Sequence, residues 1–487
     1  VAFDDKVLRT VYDYDFELTA IQEDEAILPF EGSTILISEK ETVFNVDLEN
    51  NIDFYISVHA QIGSVLLING SKNEKYVADI QHVRRRETIA MTPANCLIGL
   101  KLLVGTSRLD NQKFKEAENK ASVLKTINDI TGTTTKALVG SSGLSIQYAI
   151  LMGLIDNALE NHIGKAIKIV VPPNCYGGTN DQARRVAACR DNVDIVDLPV
   201  DGGNDMVNSI DTVLNQLAKE DAIPYIIAEI PTNPRVEVPD LEKLRDTLSQ
   251  VRHTPDGSVA IDPVFILDQT FCPNVHFLGE GDMLAGVRTI SFASGSKFPS
   301  GGLCTAGYCV GNIKAQNLIE KIEKHLILCD NEATDLQMAI LAEQMPSMIE
   351  RIAGAYKNTR EFVNYIKSVL PAAKINFVSE ELATQGFTPS VFSLDLPTKG
   401  KTEEEREAYK RQLNHQLINL MFTEIPDESK YCVSYGQLKG CYWTIPATST
   451  QGTTKEGDKD YIARVALSPD MDLAKHKAIF KQFVNSI

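Results

Sequence analysis

The stretch S-F-A-S-G-S-K-F-P-S-G-G, residues 291–302, places Lys297 behind two hydroxyl side chains, Ser294 and Ser296. The preceding residues 289–293 are typical of a short strand, so we predict that the lysine lies where a strand ends and a loop begins. Proteins with alternating helices and strands often carry functional groups at such positions. A lysine among small hydroxyl residues suits a site that holds a phosphate and offers an amine. Taken alone, the stretch is more typical of an ordinary Gly/Ser surface loop.

Strand-like runs and helical segments alternate on both sides of this stretch. The strand-like runs are residues 137–139, 166–171, 193–198, 225–230, 264–267, 289–293 and 305–310. The helical segments are residues 111–130, 144–160, 206–218, 240–251 and 313–328. This alternation predicts an α/β protein with a mostly parallel central sheet that is covered by helices.

The flanking segments have other patterns. Residues 1–100 predict a small antiparallel β unit, with short runs at 34–38, 43–47, 54–58 and 64–68. Three arginines at 84–86 form a basic cluster, which is either a solvated face or an anion site. Helices at 332–370 lead to a last region with a strand at 390–395 and helices at 403–422 and 472–486. We therefore predict a β-rich extension (1–100), a large domain (101–355) and a smaller α+β domain (356–487).

The composition excludes several classes of function. The net charge is −17, from 48 basic and 65 acidic residues, so an extended surface for nucleic acid or anionic membrane is not expected. Nine cysteines without a C-x-x-C pair indicate reduced thiols rather than a disulfide framework or a metal site. Because no apolar run has the length of a membrane span and residues 1–5 do not resemble a signal peptide, we expect a cytoplasmic protein.

Two further motifs offer partners for Lys297. Residues 141–144, S-S-G-L, follow a strand and open an apolar helix, where free N–H groups and the helix dipole favour an anion such as phosphate. Alternatively, Ser142 simply caps that helix. Asp268 ends the apolar run 264–267, and a carboxylate there suits a ligand crevice and a cofactor with a pyridine nitrogen. Its alternative role is to cap the next turn.

Two more strand exits carry polar or aromatic groups. Tyr176 lies between a strand and two glycines, so its ring either covers a flat ligand or packs in a turn. Prolines at 231 and 234 stiffen the segment around Asn233 and fix the direction of its side chain. All these motifs lie where a parallel sheet places its ligand.

The order of the motifs resembles the pyridoxal-phosphate enzymes of cysteine and methionine metabolism, which include cystathionine γ-synthase, cystathionine γ-lyase and methionine γ-lyase. The segments that carry the resemblance are S-G-L at 142–144, Y-G-G-T at 176–179, E-I-P-T-N-P at 229–234, D-Q-T-F at 268–271, S-G-S-K-F at 294–298, S-Y-G at 434–436 and R-V-A-L-S at 464–468. They occur in the family's order from about residue 106 to the C-terminus. The resemblance implies the fold-type-I transferase architecture of that family.

The resemblance also implies a pyridoxal 5'-phosphate site. Lys297 would form the Schiff base with the cofactor, and Asp268 would pair with its pyridine nitrogen. Tyr176 would stack on the ring and act as acid or base at the leaving group, and Asn233 would contact the ring hydroxyl. The remaining residues divide into phosphate ligands (Ser142, Gly143, Leu144, Ser294, Ser296 and Arg108) and ligands of the substrate carboxylate (Ser434 and Arg464).

The chain departs from the family pattern at three places. The family's Y-S-R is T-S-R at 106–108, so that Arg108 keeps the charge but the tyrosine hydroxyl is lost. Gly302 stands where a histidine is usual, and R-x-S-V-G is R-V-A-L-S at 464–468. These departures, together with the unmatched residues 1–100, leave the substrate open.

The activity implied is β- or γ-elimination or replacement on a sulfur-containing or O-acylated amino acid, which makes the protein a carbon–sulfur lyase or transferase. The family also implies a homodimer or homotetramer with shared active sites. One alternative is another reaction of the same cofactor, such as transamination. A second alternative is a non-catalytic homologue that binds the cofactor or a partner protein.

Overall fold

The computed structural model describes residues 35–38, 53–59, 63–68, 70–76, 99, 101, 115–200, 205–431, 437–446 and 461–487. Near the N-terminus it contains the strands β1 (Ile35–Ser38), β2 (Phe54–His59) and β3 (Gly63–Ile68) and a 3₁₀ helix at Ser71–Tyr76. The predicted run 43–47 and the arginines 84–86 lie outside the described residues.

The N-terminal sheet is only partly antiparallel, in contrast to the prediction. Strand β2 pairs antiparallel with β3 but parallel with β1. The reason is chain length between the strands: residues 60–62 allow only a hairpin, whereas residues 39–53 are long enough for a crossover connection.

The central sheet has the strand order β4-β10-β9-β8-β7-β5-β6. Its strands are β4 (Leu138–Gly140), β5 (Ile167–Val171), β6 (Val193–Asp197), β7 (Ile223–Glu229), β8 (Val264–Asp268), β9 (Thr289–Ser294) and β10 (Gly307–Gly311). Strands β5 to β9 run parallel, and β10 is antiparallel to both of its neighbours. Strand β10 reverses because residues 295–306 form turns instead of a crossover helix. The predicted mostly parallel sheet is thus confirmed.

Helices cover both faces of this sheet, as predicted. They are α1 (Glu116–Thr131), α2 (Gly143–Asn161), α3 (Gly177–Ala188), α4 (Met206–Lys219), α5 (Leu241–Ser249), α6 (Gln316–Leu328) and α7 (Asp335–Gln344). One apolar core joins α2, α3 and α6 to one face, and a second joins α1, α4, α5 and α7 to the other. Alternate residues of β8 divide between the two cores, with Val264 and Ile266 in the first and Phe265 and Leu267 in the second.

A second sheet lies towards the C-terminus, in the order β11-β12-β15-β14-β13. Its elements are β11 (Lys374–Asn376), β12 (Val391–Asp395), β13 (Ser429–Tyr431), β14 (Gly440–Pro446) and β15 (Tyr461–Ala466), with the helices α8 (Met348–Val369), α9 (Glu380–Thr384), α10 (Glu403–Glu424) and α11 (Leu473–Val484). Helices α8, α10 and α11 bury one face, and the other face joins a core of the central sheet. The α+β character is confirmed, and α8 runs across the predicted boundary at residue 355.

None of the described helices is long and apolar enough to cross a membrane. Within the same residues, no three His, Cys, Asp or Glu side chains form a group that could hold a metal ion.

Close packing of α2 against α6 can be tested at Gly153. A Cβ atom there would lie 2.8 Å from the backbone nitrogen of Ile322 in α6, so the helix backbone itself would have to move. We expect Gly153→Ala to lower the free energy of unfolding by roughly 1–3 kcal/mol, measured by denaturant titration. Gly286→Ala is the control, because a Cβ there meets nothing within 4 Å. Equal losses in both variants would contradict the explanation.

Candidate active site

The predicted site residues lie at the carboxyl ends of neighbouring strands. Tyr176 follows β5, Asn233 follows β7, Asp268 ends β8, and Lys297 follows β9. The sheet order β9-β8-β7-β5 places these four strand ends side by side. Parallel α/β sheets bind their ligands at this edge, so the arrangement is that of a ligand site.

The start of α2 lies directly against the lysine stretch. A Cβ atom at Gly143 would lie 3.2 Å from Cα of Ser294, and one at Gly307 would lie 2.4 Å from the carbonyl oxygen of Ser142. Only glycine permits so close an approach of the two backbones. The first N–H groups of a helix have no partner within the helix, so Gly143 and Leu144 offer donors for an anion here.

The capping alternative for Ser142 is present in the structure. The Ser145 N–H donates to Ser142 Oγ (3.0 Å), and the Ser142 N–H donates to Ser145 Oγ (2.9 Å). The buried Gln337 of α7 ties this turn to the loop before β10, because its Nε2 donates to the carbonyl oxygens of Ser141 (3.0 Å) and Thr305 (2.6 Å). The hydroxyl of Ser142 therefore shapes the turn, and the backbone next to it faces the lysine stretch.

Lys297 sits in a turn that is fixed at both ends. On the side of β9, the Ser294 N–H donates to Thr270 Oγ1 (2.9 Å) and the Ala306 N–H donates to Ser296 Oγ (3.4 Å). On the other side, the Gly302 N–H donates to the carbonyl oxygen of Lys297 (3.2 Å). These hydrogen bonds hold the main chain of the turn that carries Lys297 beside the end of β9.

Asp268 is buried beside this turn. Its Oδ1 accepts the Thr270 N–H (2.8 Å), which is the contact expected of the turn-capping alternative. Burial raises the pKa of Asp268 to about 6, whereas the bond from Thr270 and the positive charge of Lys297 act in the opposite direction. The carboxyl group can therefore be charged at neutral pH and faces the charge of Lys297.

Glu229, the first residue of the motif E-I-P-T-N-P, is a second buried carboxyl group. It ends β7 and lies in register with Asp268 on β8. Its Oε1 accepts the Tyr176 N–H (2.7 Å). Burial and the charge of Asp268 raise the pKa of Glu229 to about 8. An acidic residue at the end of the wholly apolar run I-P-Y-I-I-A was the sequence feature that could have identified it.

Arg464 brings the second sheet into the site. It lies on β15, is 3% exposed, and its Nη1 donates to Asn233 Oδ1. The guanidinium lies over the rings of Phe271, at 5.1 Å from the centroid, and Trp443, at 5.6 Å. A planar cation held between two aromatic rings suits recognition of a carboxylate.

The ring of Tyr176 lies over the first turn of α3. A Cβ atom at Gly178 would lie 2.6 Å from Tyr176 Cε1 and 3.1 Å from Leu144 Cδ1. Because Gly178 has no side chain, the ring of Tyr176 can lie next to the start of α2, where free N–H groups favour an anion.

The predicted residues Thr106, Arg108 and Ser434 lie outside the described residues. Gly302 stands where the family pattern has a histidine. Its φ is +80°, and it packs against the segment 437–446. A Cβ atom there would lie 3.1 Å from Cβ of Gln437 and 3.4 Å from Cγ of Leu438. Gln437 thus lies against the position where a histidine side chain would begin.

No protein-family model matches the sequence, and no curated protein matches it either. Solved structures match most of the chain. The cystathionine gamma-lyase of Lactobacillus plantarum, solved with L-serine, is 19% identical with a TM-score of 0.55, and the match covers 78% of this chain and 91% of that one. The cystathionine gamma synthase of Xanthomonas oryzae pv. oryzae, solved with cystathionine, is 14% identical with a TM-score of 0.54, covering 78% and 90%.

A third match is the methionine gamma lyase CalE6 of Micromonospora echinospora, which is 17% identical with a TM-score of 0.55, covering 75% of this chain and 86% of that one. The chain is thus an α/β protein with the fold of cystathionine gamma-lyase, cystathionine gamma synthase and methionine gamma lyase. This finding confirms the predicted fold class, and it confirms the resemblance seen in the sequence at the level of the fold.

The buried Glu229 predicts an unusual dependence of stability on pH. A carboxyl group with a higher pKa in the folded than in the unfolded chain contributes stability that is lost as the pH rises through the folded pKa. For Glu229 this pH window runs from 4.5, the ordinary pKa of a glutamate side chain, to about 8, its pKa in the folded chain. In denaturant titrations, we expect the free energy of unfolding to fall between about pH 6 and about pH 8, then to level off, and to fall less in Glu229→Gln.

The control for this measurement is Glu323→Gln, which removes a carboxylate that pairs with Lys136 near the surface. This variant should keep the dependence of the wild-type protein. If Glu229→Gln behaves in the same way, Glu229 is not the source of the pH dependence.

Proposed function

We propose that the protein is a pyridoxal-phosphate-dependent enzyme that eliminates or replaces a substituent at the β or γ carbon of a sulfur-containing or O-acylated amino acid. The observation that carries the proposal is the convergence of Lys297, Asp268, Tyr176 and Arg464 on one sheet edge beside the start of α2. The fold and the order of these residues along the chain both agree with it.

The residues present fit the cofactor. The close contact of Gly143 with Ser294 brings the start of α2 against the lysine stretch, and the helix terminus supplies N–H donors and a positive potential for a phosphate. Asp268 would keep the pyridine nitrogen protonated, and Tyr176 would cover the ring. Asn233 would contact the ring hydroxyl from the end of β7.

The cofactor, when bound, supplies an electron sink for the charge that develops at the substrate Cα. The residues of the chain do the rest. Lys297 would move the proton at the substrate Cα, because its amine, when neutral, can act as a general base. Tyr176 would give a proton to the leaving group or take one from it. Arg464, with Ser434, would hold the substrate carboxylate and so orient the Cα–H bond.

The substrate class is inferred from the neighbours and from the site. Two of the solved enzymes are named for cystathionine and one for methionine, which supports a sulfur-containing amino acid here. We also propose an assembly of two or four copies with shared sites, in which Arg108 would reach the phosphate of a neighbouring copy.

Cofactor binding tests the proposal directly. Purified protein incubated with pyridoxal 5'-phosphate should develop a visible absorbance band that remains after gel filtration, because Lys297 fixes the cofactor covalently. Lys297→Ala should lose the band. Lys314→Ala, which removes a lysine from the opposite edge of the sheet, is the matched control and should retain it. A wild-type protein that takes up no cofactor would end the proposal.

A substrate panel tests the reaction class. We expect release of ammonia and an α-keto acid, or thiol-dependent replacement, with cystathionine, methionine or O-acetylhomoserine. Arg464→Lys should raise KM about tenfold or more, because a bidentate contact to the carboxylate is lost. Amino-group transfer to a keto acid instead would favour a transaminase, and cofactor binding without turnover would favour a non-catalytic homologue.

A further inference from the structure

Glu229 is a buried carboxyl group to which the proposed chemistry gives no task. It is 7% exposed, and its neighbour in register on β8 is Asp268. Its carboxyl group accepts hydrogen bonds from the main-chain N–H groups of Tyr176 (2.7 Å) and Asn233. These two residues belong to different strand exits, and both are assigned to the cofactor. One carboxyl group therefore joins two segments of the site.

We propose that Glu229 is a positioning residue: its carboxyl group fixes the main chain at Tyr176 and Asn233 and, at neutral pH, holds a proton so that Asp268 alone carries the negative charge. The inference rests on the proposed function for its consequence, because Asp268 is the group that would meet the pyridine nitrogen. The contacts on which it depends are those of the chain itself.

The charges around Glu229 favour this division. Asp268 lies beside it on β8, and Arg464 faces it from β15. Cys175 and Tyr176 face it from the loop after β5, and burial raises the pKa of the Cys175 thiol so that it stays neutral. Lys297 acts on Asp268 and lowers its pKa. In the protein without cofactor, the charge of Lys297 thus favours an ionised Asp268. Burial and the charge of Asp268 favour the proton on Glu229 and outweigh the opposite effects of Arg464 and of the two main-chain N–H groups.

A protonated glutamic acid and a glutamine have nearly the same shape and can both accept a hydrogen bond from an N–H group. Replacing Glu229 by glutamine should therefore preserve the site at neutral pH. Replacing it by alanine removes the acceptor and leaves buried N–H groups without it. The glutamine variant tests whether a neutral acceptor is sufficient, and the alanine variant tests whether the side chain is needed at all.

The first measurement is the affinity for pyridoxal 5'-phosphate at neutral pH. We expect Glu229→Ala to bind about tenfold more weakly, because the acceptor of the Tyr176 and Asn233 N–H groups is lost, and Glu229→Gln to remain within about twofold of the wild-type protein. Asp395→Asn is the matched control, because it removes a carboxylate at the end of β12, in the second sheet, that pairs with Lys410 of α10. It should also remain within about twofold.

The second measurement uses protein without cofactor. The infrared spectrum should contain the band of a protonated carboxylic acid that disappears as the pH rises through about 8. The band should be absent from Glu229→Gln and present in Asp395→Asn. A spectrum of the wild-type protein without this band would overturn the assignment of the proton.

The outcomes separate this inference from the proposed function. If the wild-type protein binds no pyridoxal 5'-phosphate, the proposed function is wrong, but the infrared band still shows whether Glu229 is protonated. If it binds and Glu229→Gln is as weak as Glu229→Ala, a charged carboxylate is required and the inference is wrong. If Glu229→Ala binds like the wild-type protein, Glu229 does not position the site. Should Glu229→Ala not fold, the glutamine variant decides alone.

Discussion

The contact between the first turn of α2 and the strands β9 and β10 is the constraint on which the site depends. Glycines at 143, 295 and 307 allow these segments to approach closely. Cβ atoms at the three positions would lie 3.2 Å from Ser294 Cα, 2.6 Å from Ala306 Cβ and 2.4 Å from the carbonyl oxygen of Ser142. Gln337 clamps the same junction from α7. Because these contacts pack the helix terminus against the end of β9, they set the separation between the donors for an anion and the lysine turn. The other site residues are added to this frame by the order of the strands.

The second organising principle is the balance of charge at the strand ends. Two carboxyl groups on adjacent strands would repel each other in a buried site if both were ionised. Lys297 favours the charge on Asp268, so that a proton on Glu229 leaves one negative charge at the strand ends. Arg464 reaches the same strand ends from the second sheet, and its guanidinium lies over the aromatic rings of Phe271 and Trp443. The second sheet is therefore a part of the candidate site, since it carries this cation.

Much of the central fold could be predicted from the sequence. The predicted strand 264–267 and helix 206–218 agree with β8 and α4 to within a residue, because buried apolar runs and amphipathic spacing are strong local patterns. Helix α3 was missed, since its Gly-Gly start and its polar composition indicate a turn. Strand β15 was noted only as the motif around Arg464. Its pairing with β12 and β14 is a contact between distant segments, which no local pattern reveals.

The position of Trp443 has a practical consequence. It is the single tryptophan of the chain, it is 5% exposed, and its ring lies against the guanidinium of Arg464. Indole emission responds to nearby charge and to energy transfer, and no second indole contributes a background. The tryptophan fluorescence of the unlabelled protein, excited at wavelengths where tyrosine does not absorb, therefore comes from one point beside the candidate carboxylate pocket, which makes the chain its own optical reporter of events there.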